Sequence, residues 1–218
     1  MSDLRSEHHT HPAANDALDN HATARKLRSD LLAMYAPRPD LAPSKNDFGA
    51  AKSVIALPRM EQARKAWDDV RDLASAPRPH LHPDSDALRA RIIVATKDVR
   101  IRDYVLSSVA IEDDPEPFVR AVVMTALSAP EGRREPIAAA AAALVAACGT
   151  SRVAVKCLLR YAGTQALAAL VATIVEVPIE PTRIRQLMVD AMPLVIRQLE
   201  LADAVDPAPE PQRTRRSD

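Results

Sequence analysis

Residues 86–106, DALRARIIVATKDVRIRDYVL, combine the longest uninterrupted apolar pattern in the middle of the chain with its densest local cluster of arginine and lysine. At helical spacing, Leu88, Ile92, Ala95 and Val99 share one face, and Arg89, Arg91 and Lys97 fall largely off it. Ser85 or Asp86 is placed to cap the start, accepting from N–H groups that a first turn leaves without partners. Asp98 reads as a second N-cap, opening a helix with Ile101, Val105, Leu106 and Val109 inward. The stretch is therefore two consecutive helices bent near Lys97 and Asp98. Arg102 lies in the first turns of the second helix. Its aliphatic stem can flank the core while the guanidinium reaches a carboxylate or a carbonyl, and this structural role is expected ahead of an anion clamp. Asp103 follows about 100° round the axis and is expected to face a different neighbour.

The same helical spacing runs through most of the 218 residues. Aromatic side chains make up only 3%, so a core must come from Ala, Val, Leu and Ile, which suits close helix packing. With 4 glycines against 18 prolines, hairpin-rich β architecture and glycine-rich phosphate loops are disfavoured, and the prolines punctuate helices. The chain holds 29 basic and 29 acidic side chains, so it lacks the basic excess usual in nucleic-acid binders. Cys148 and Cys157 lie in apolar helical pattern and read as reduced, buried thiols. The first residues hold no apolar signal segment, and the longest apolar run, 137–148, is too short to span a bilayer. A cytoplasmic protein without membrane association is expected.

Residues 1–14 read as a disordered tail whose histidines, His8, His9 and His11, form no metal site. A first helix is expected over residues 15–35 with Leu18, Leu27, Leu31 and Met34 buried, then a stiff linker through Pro37, Pro39 and Pro43. An amphipathic piece over 46–57 completes an N-terminal segment, residues 15–56, set apart from a helical domain at 57–203. That domain opens near Pro58 with a helix turning Met60, Ala63, Trp67, Val70 and Leu73 inward. A proline-rich connection at 75–85 carries His80 and His82, and the acidic knot Glu112–Asp114 reads as a helix cap. An alanine-rich helix ends at Gly149, Ser151 starts another, and Gly163-Thr164 repeats the stop-and-start signal, giving an αα-hairpin. A last helix runs from Arg183 to about Leu201, with Leu187, Met188, Ala191, Leu194, Val195 and Leu199 available to pack. Residues 204–218 form a second disordered tail. The fold expected is all-α: a multi-helix bundle of short antiparallel αα-hairpins with a faint HEAT- or TPR-like repetition, since Asp98–Arg102 is echoed by Pro117–Arg120.

Trp67, the segment from Ala90 to Leu106, the alanine-rich helix ending at Cys148-Gly149 and the helix from Val153 to Leu159 occur in an order that resembles the C-terminal helical half of the actinobacterial "domain of unknown function 4192" family. The resemblance covers roughly residues 59–190 and is most specific at Asp98–Asp103 and Gly149. The chain departs from it at Ile101, where valine is usual, and residues 1–58 do not match the family's N-terminal α/β half. The resemblance implies a helical fold and a bacterial setting, and brings no activity.

No phosphate loop, HExxH, Cys/His cluster or nucleophile elbow occurs, so no catalytic, cofactor-binding or metal-ligating residue is expected. The leading expectation is a non-catalytic helical scaffold that binds another protein, in a groove left between small-residue hairpins. A nucleic-acid accessory is the alternative, if Arg89, Arg91, Lys97, Arg100 and Arg102 form one basic face. An enzyme using Glu112–Asp114 with His80 or His82 is the third class. The candidate interaction residues are Arg89, Arg91, Lys97, Arg100, Arg102 and Asp103.

Overall fold

The computed structural model describes residues 23, 25–149, 151–177 and 179–205, and every regular element among them is helical. In chain order these are α1 (25–34), α2 (Lys45–Ile55), α3 (Arg59–Ser75), α4 (Ser85–Ala95), α5 (Val99–Ile111), α6 (Glu116–Ser128), α7 (Glu131–Ala147), α8 (Arg152–Leu159), α9 (Ala166–Glu176) and α10 (Pro181–Val205), with short 3-10 turns at Pro39–Leu41 and Pro79–Leu81. The expected all-α bundle is present.

Its axis is α7. Every residue from Ile137 to Ala147 is buried, so this helix has no solvent face after its first turns. Alanine has the highest helix propensity and almost no side-chain volume, which lets α4, α5, α6, α8, α9 and α10 all pack against one rod. The chain leaves α7 through Gly149, whose φ of +69° closes the helix in the left-handed region. A β-carbon there would stand 2.7 Å from Pro181 Cγ, so the turn after α7 and the start of α10 are fitted together. Ser151 then caps α8 by accepting from Ala154 N–H. Gly163 repeats the left-handed turn at φ +59°, but Gln165, not Thr164, occupies the N-cap of α9 and makes no side-chain cap bond. The α8–α9 unit is braced more heavily by α7 than by its own two helices against each other.

The bend between α4 and α5 falls where expected, with Asp98 accepting from Arg100 N–H at 3.0 Å. At the start of α4 neither Ser85 nor Asp86 caps: Asp84 is the N-cap residue and makes no side-chain cap bond. Val99, expected inward, is half exposed because it is the first residue of α5, beyond the bend that ends α4.

The N-terminal boundary needs correction. The core does not begin at residue 57. Ser44 and Asp47 form a reciprocal capping box that starts α2, and Phe48, Ala51 and Val54 are buried, with α4 as the helix's main partner. The proline-rich connection is also docked: Arg38 N–H donates to the Leu127 carbonyl at 2.7 Å, and Pro43 is buried. By contrast α1 does not bury the face expected of it. Leu27 and Met34 are exposed, Leu31 is half-buried, and Leu18 lies outside the described residues. The two tails, apart from the end of α10 at Val205, lie outside them as well.

Trp67 is half-buried at the margin of the core, its ring tilted against Phe118 with centroids 5.2 Å apart. Distant parts of the chain complete each other at α3. Pro58 precedes that helix and supplies no side-chain cap, and Asp203, near the end of α10, accepts from Arg59 N–H and from Met60 N–H (3.1 Å) instead.

Candidate interaction site

The cations of α4 and α5 do not make one basic face. Arg91 of α4 crosses to α3, where Nε and Nη2 donate to both oxygens of Asp69 at 2.9 and 2.8 Å. Lys65 approaches the same fully buried carboxylate at 3.1 Å. The Asp69 carboxylate raises the Arg91 guanidinium above its usual pKa, against the effect of burial. Arg100 folds back on Asp98 at 2.9 and 2.8 Å, and Arg59 reaches the same carboxylate at 3.5 Å. Burial works to raise the Asp98 carboxyl, but the Arg100 bonds and the Arg59 charge leave it below the usual carboxylate value. Lys97 is exposed in the turn between the helices.

Arg89 departs furthest from its expected place off the apolar face. It is 1% exposed, donates to Asp86 through Nη2 alone, and keeps buried Nε and Nη1 without a partner. Burial pushes its guanidinium below the usual value. Most of α4 is buried, including Leu88, Ala90, Ile92, Ile93 and Val94, and only Asp86, Ala87 and Arg91 keep access to solvent, so Arg89 falls on the buried side.

Arg102 and Asp103 do pair, against expectation: Arg102 Nε and Nη2 donate to Asp103 Oδ1 at 3.0 and 2.9 Å. Neighbours about 100° apart on a helix can meet when a long arginine lies back along the surface, and Arg102 is buried while doing so. This pair stands in the wall of a cleft of about 400 Å³ between α5, α7, α9 and α10. Leu106, Ala143, Leu167, Val171, Ile184 and Met188 line its interior. Leu170 of α9 and Leu187 of α10 stand at the rim, each more than half exposed. All the charged and hydroxyl side chains of the lining, Arg102, Asp103 and Ser107, come from α5. The cleft thus has one polar wall and an apolar remainder.

The small residues of α7 create this space. Ala143 and Ala146 form part of its lining, where a leucine would project into the volume. Only Arg102 and Asp103 of the six sequence candidates belong to it. Leu170 and Leu187 come from consecutive helices, α9 and α10, that both line the cleft, and Leu187 and Leu194, expected to pack, are both exposed.

The other candidate chemistry resolves into local structure. Asp114 Oδ1 accepts from Glu116 N–H at 3.2 Å, as a cap should, and Arg185 of α10 donates to the Ala110 and Glu112 carbonyls rather than to the acidic knot. His82 Nδ1 accepts from Asp84 N–H at 3.1 Å. Cys148 and Cys157 are free thiols; Cys157 is buried, and half-buried Cys148 has its pKa raised by burial. Among the described residues no group of three or more His, Cys, Asp or Glu side chains is placed to hold a metal, and no helix is long and apolar enough to cross a membrane.

No family model, curated protein or solved structure matches this chain, so the reading of the site rests on its geometry.

Proposed function

We propose that this protein is a non-catalytic helical interaction module that holds an apolar helix or tail of another protein in the cleft between α5, α7, α9 and α10. The observation that supports it is the cleft's division into one polar wall on α5 and an apolar remainder with exposed leucines at its rim. An amphipathic helix presents the complementary arrangement: an apolar stripe for the floor, and a polar flank for Arg102 and Asp103. Arg102 uses two of its nitrogens on one oxygen of Asp103, which leaves donors and a second carboxylate oxygen for a partner's polar groups. The nucleic-acid alternative loses its main support, because Arg91, Arg100 and Arg102 are each committed to a neighbouring carboxylate and Arg89 is buried.

Leu170→Glu tests this reading. The residue is exposed, so the variant is expected to melt with the wild type, while a charge at the rim opposes entry of an apolar helix. In parallel affinity captures from the native host, a protein enriched by the wild type and absent with Leu170→Glu is the expected result. Identical captures by the two proteins would sink the proposal.

A further inference from the structure

We infer that α10 carries a second interaction surface, a self-complementary seam through which two copies of this chain pair antiparallel. Leu187, Leu194 and Leu201 recur every seven residues along the helix and are 52%, 60% and 56% exposed. Val205 continues the stripe at 84% exposure. The helix already satisfies its own core through a different face, where Ile184, Val195 and Leu199 are buried. Large apolar side chains at a seven-residue repeat are the pattern by which one helix packs along another. Pro193 lies about 100° round the axis from Leu194, so its ring does not interrupt the stripe.

Charge selects the occupant. Asp190 and Arg197 are exposed, lie seven residues apart, and flank the leucines on the same side. Asp190 is touched by Gln186 of its own helix at 2.8 Å, and Arg197 has no ion pair among the described residues. A parallel pair of α10 helices would bring Asp190 level with Asp190 and Arg197 level with Arg197. An antiparallel pair whose two-fold axis lies midway between them brings each Asp190 level with the other copy's Arg197, twice over, as an isologous contact requires. The same axis sets the two Leu194 side chains at the centre and runs each Leu187 toward the other copy's Leu201. Gln198 stands beside the leucines as a polar position of the kind that fixes register in such seams.

The inference rests on the reading of the chain as an interaction module; Leu187 belongs to both surfaces, but Leu194 and Leu201 lie outside the cleft and Leu170 outside the seam, so the two can be tested apart. Sedimentation equilibrium of the full chain over a wide concentration range is expected to show monomer passing to dimer. The Leu194→Glu/Leu201→Glu double variant is expected to remain monomeric with an unchanged melting temperature at dilute concentration. Asp190→Arg alone, or Arg197→Asp alone, is expected to weaken pairing about tenfold, and the two together to restore it. A wild type that is monomeric throughout, or a double leucine variant that still dimerises, overturns the seam. Single charge reversals without effect on a dimer overturn the antiparallel arrangement. Leu170→Glu is expected to dimerise normally, so loss of cleft capture and loss of dimer are separate results.

Discussion

Helices α7 and α10 handle apolar side chains in opposite ways. In α7 the apolar residues are mostly alanine and all of them from Ile137 to Ala147 are buried. In α10 they are mostly large, yet only Ile184, Val195 and Leu199 are buried, and Leu187, Leu194 and Leu201 face outward. Small side chains let many neighbours close around a rod, and the bundle spends its packing there. Large side chains on a peripheral helix extend past what the core can cover. Apolar content therefore does not distinguish a central helix from a binding one; side-chain size and angular spread do.

The sharpest way to break this contrast is to enlarge α7. Ala141→Leu, at a fully buried position, is expected to cost about 3 kcal/mol or more, read as a lower urea midpoint at unchanged slope. An equally tolerant response would mean that the α7 surroundings are loose. Arg89→Met sharpens the point from another buried helix. Methionine fills similar space without burying two unpartnered donors, so a gain on the order of 1 kcal/mol is expected in the same assay. A clear loss would show that the Asp86 contact outweighs the burial.

Asp98→Asn addresses the charges that tie α5 to the start of α3. Because the Asp98 carboxyl titrates below its unfolded value, its stabilisation is complete above about pH 4 and is lost as pH falls through the lower folded value. The variant is expected to lose roughly 1 kcal/mol at neutral pH and to show a flatter decline in melting temperature on acidification. Parallel acid profiles for the two proteins would contradict the assignment. The smallest effect belongs to α10: Leu194→Ser is expected to change the stability of the dilute, monomeric chain by no more than about 0.5 kcal/mol. A loss comparable to that of Ala141→Leu would place Leu194 in the core after all.

Much of the fold was legible because its boundaries are made by local chemistry. Asp98, Gly149 and Ser151 act at helix ends through their own side chain or their own φ, which a sequence displays directly. Burial was legible only where a helix has one buried face. Around α4 the apolar residues leave no direction empty, and periodicity then cannot tell that Arg89 points inward. Leu27 and Met34 show the converse, an apolar spacing without a partner surface. The cleft was legible at Arg102 and Asp103 alone, since its other walls come from segments up to about ninety positions away in sequence. The α10 seam was present in the sequence as a seven-residue leucine repeat, but the same repeat serves burial and docking, and only exposure separates them.

The Asp203 cap on α3 also bears on how the chain is made. Arg59 and the carboxylate that completes its helix are separated by 144 residues. At ordinary synthesis rates, α3 leaves the ribosome roughly 7–30 s before Asp203 does. During that interval the first turn of α3 has only water for its N–H groups, whereas Asp98, the partner of the Arg59 side chain, is already synthesised. The start of α3 is thus completed only by the last helix, and a chain arrested before residue 203 would retain an open end at α3 however well the rest had packed.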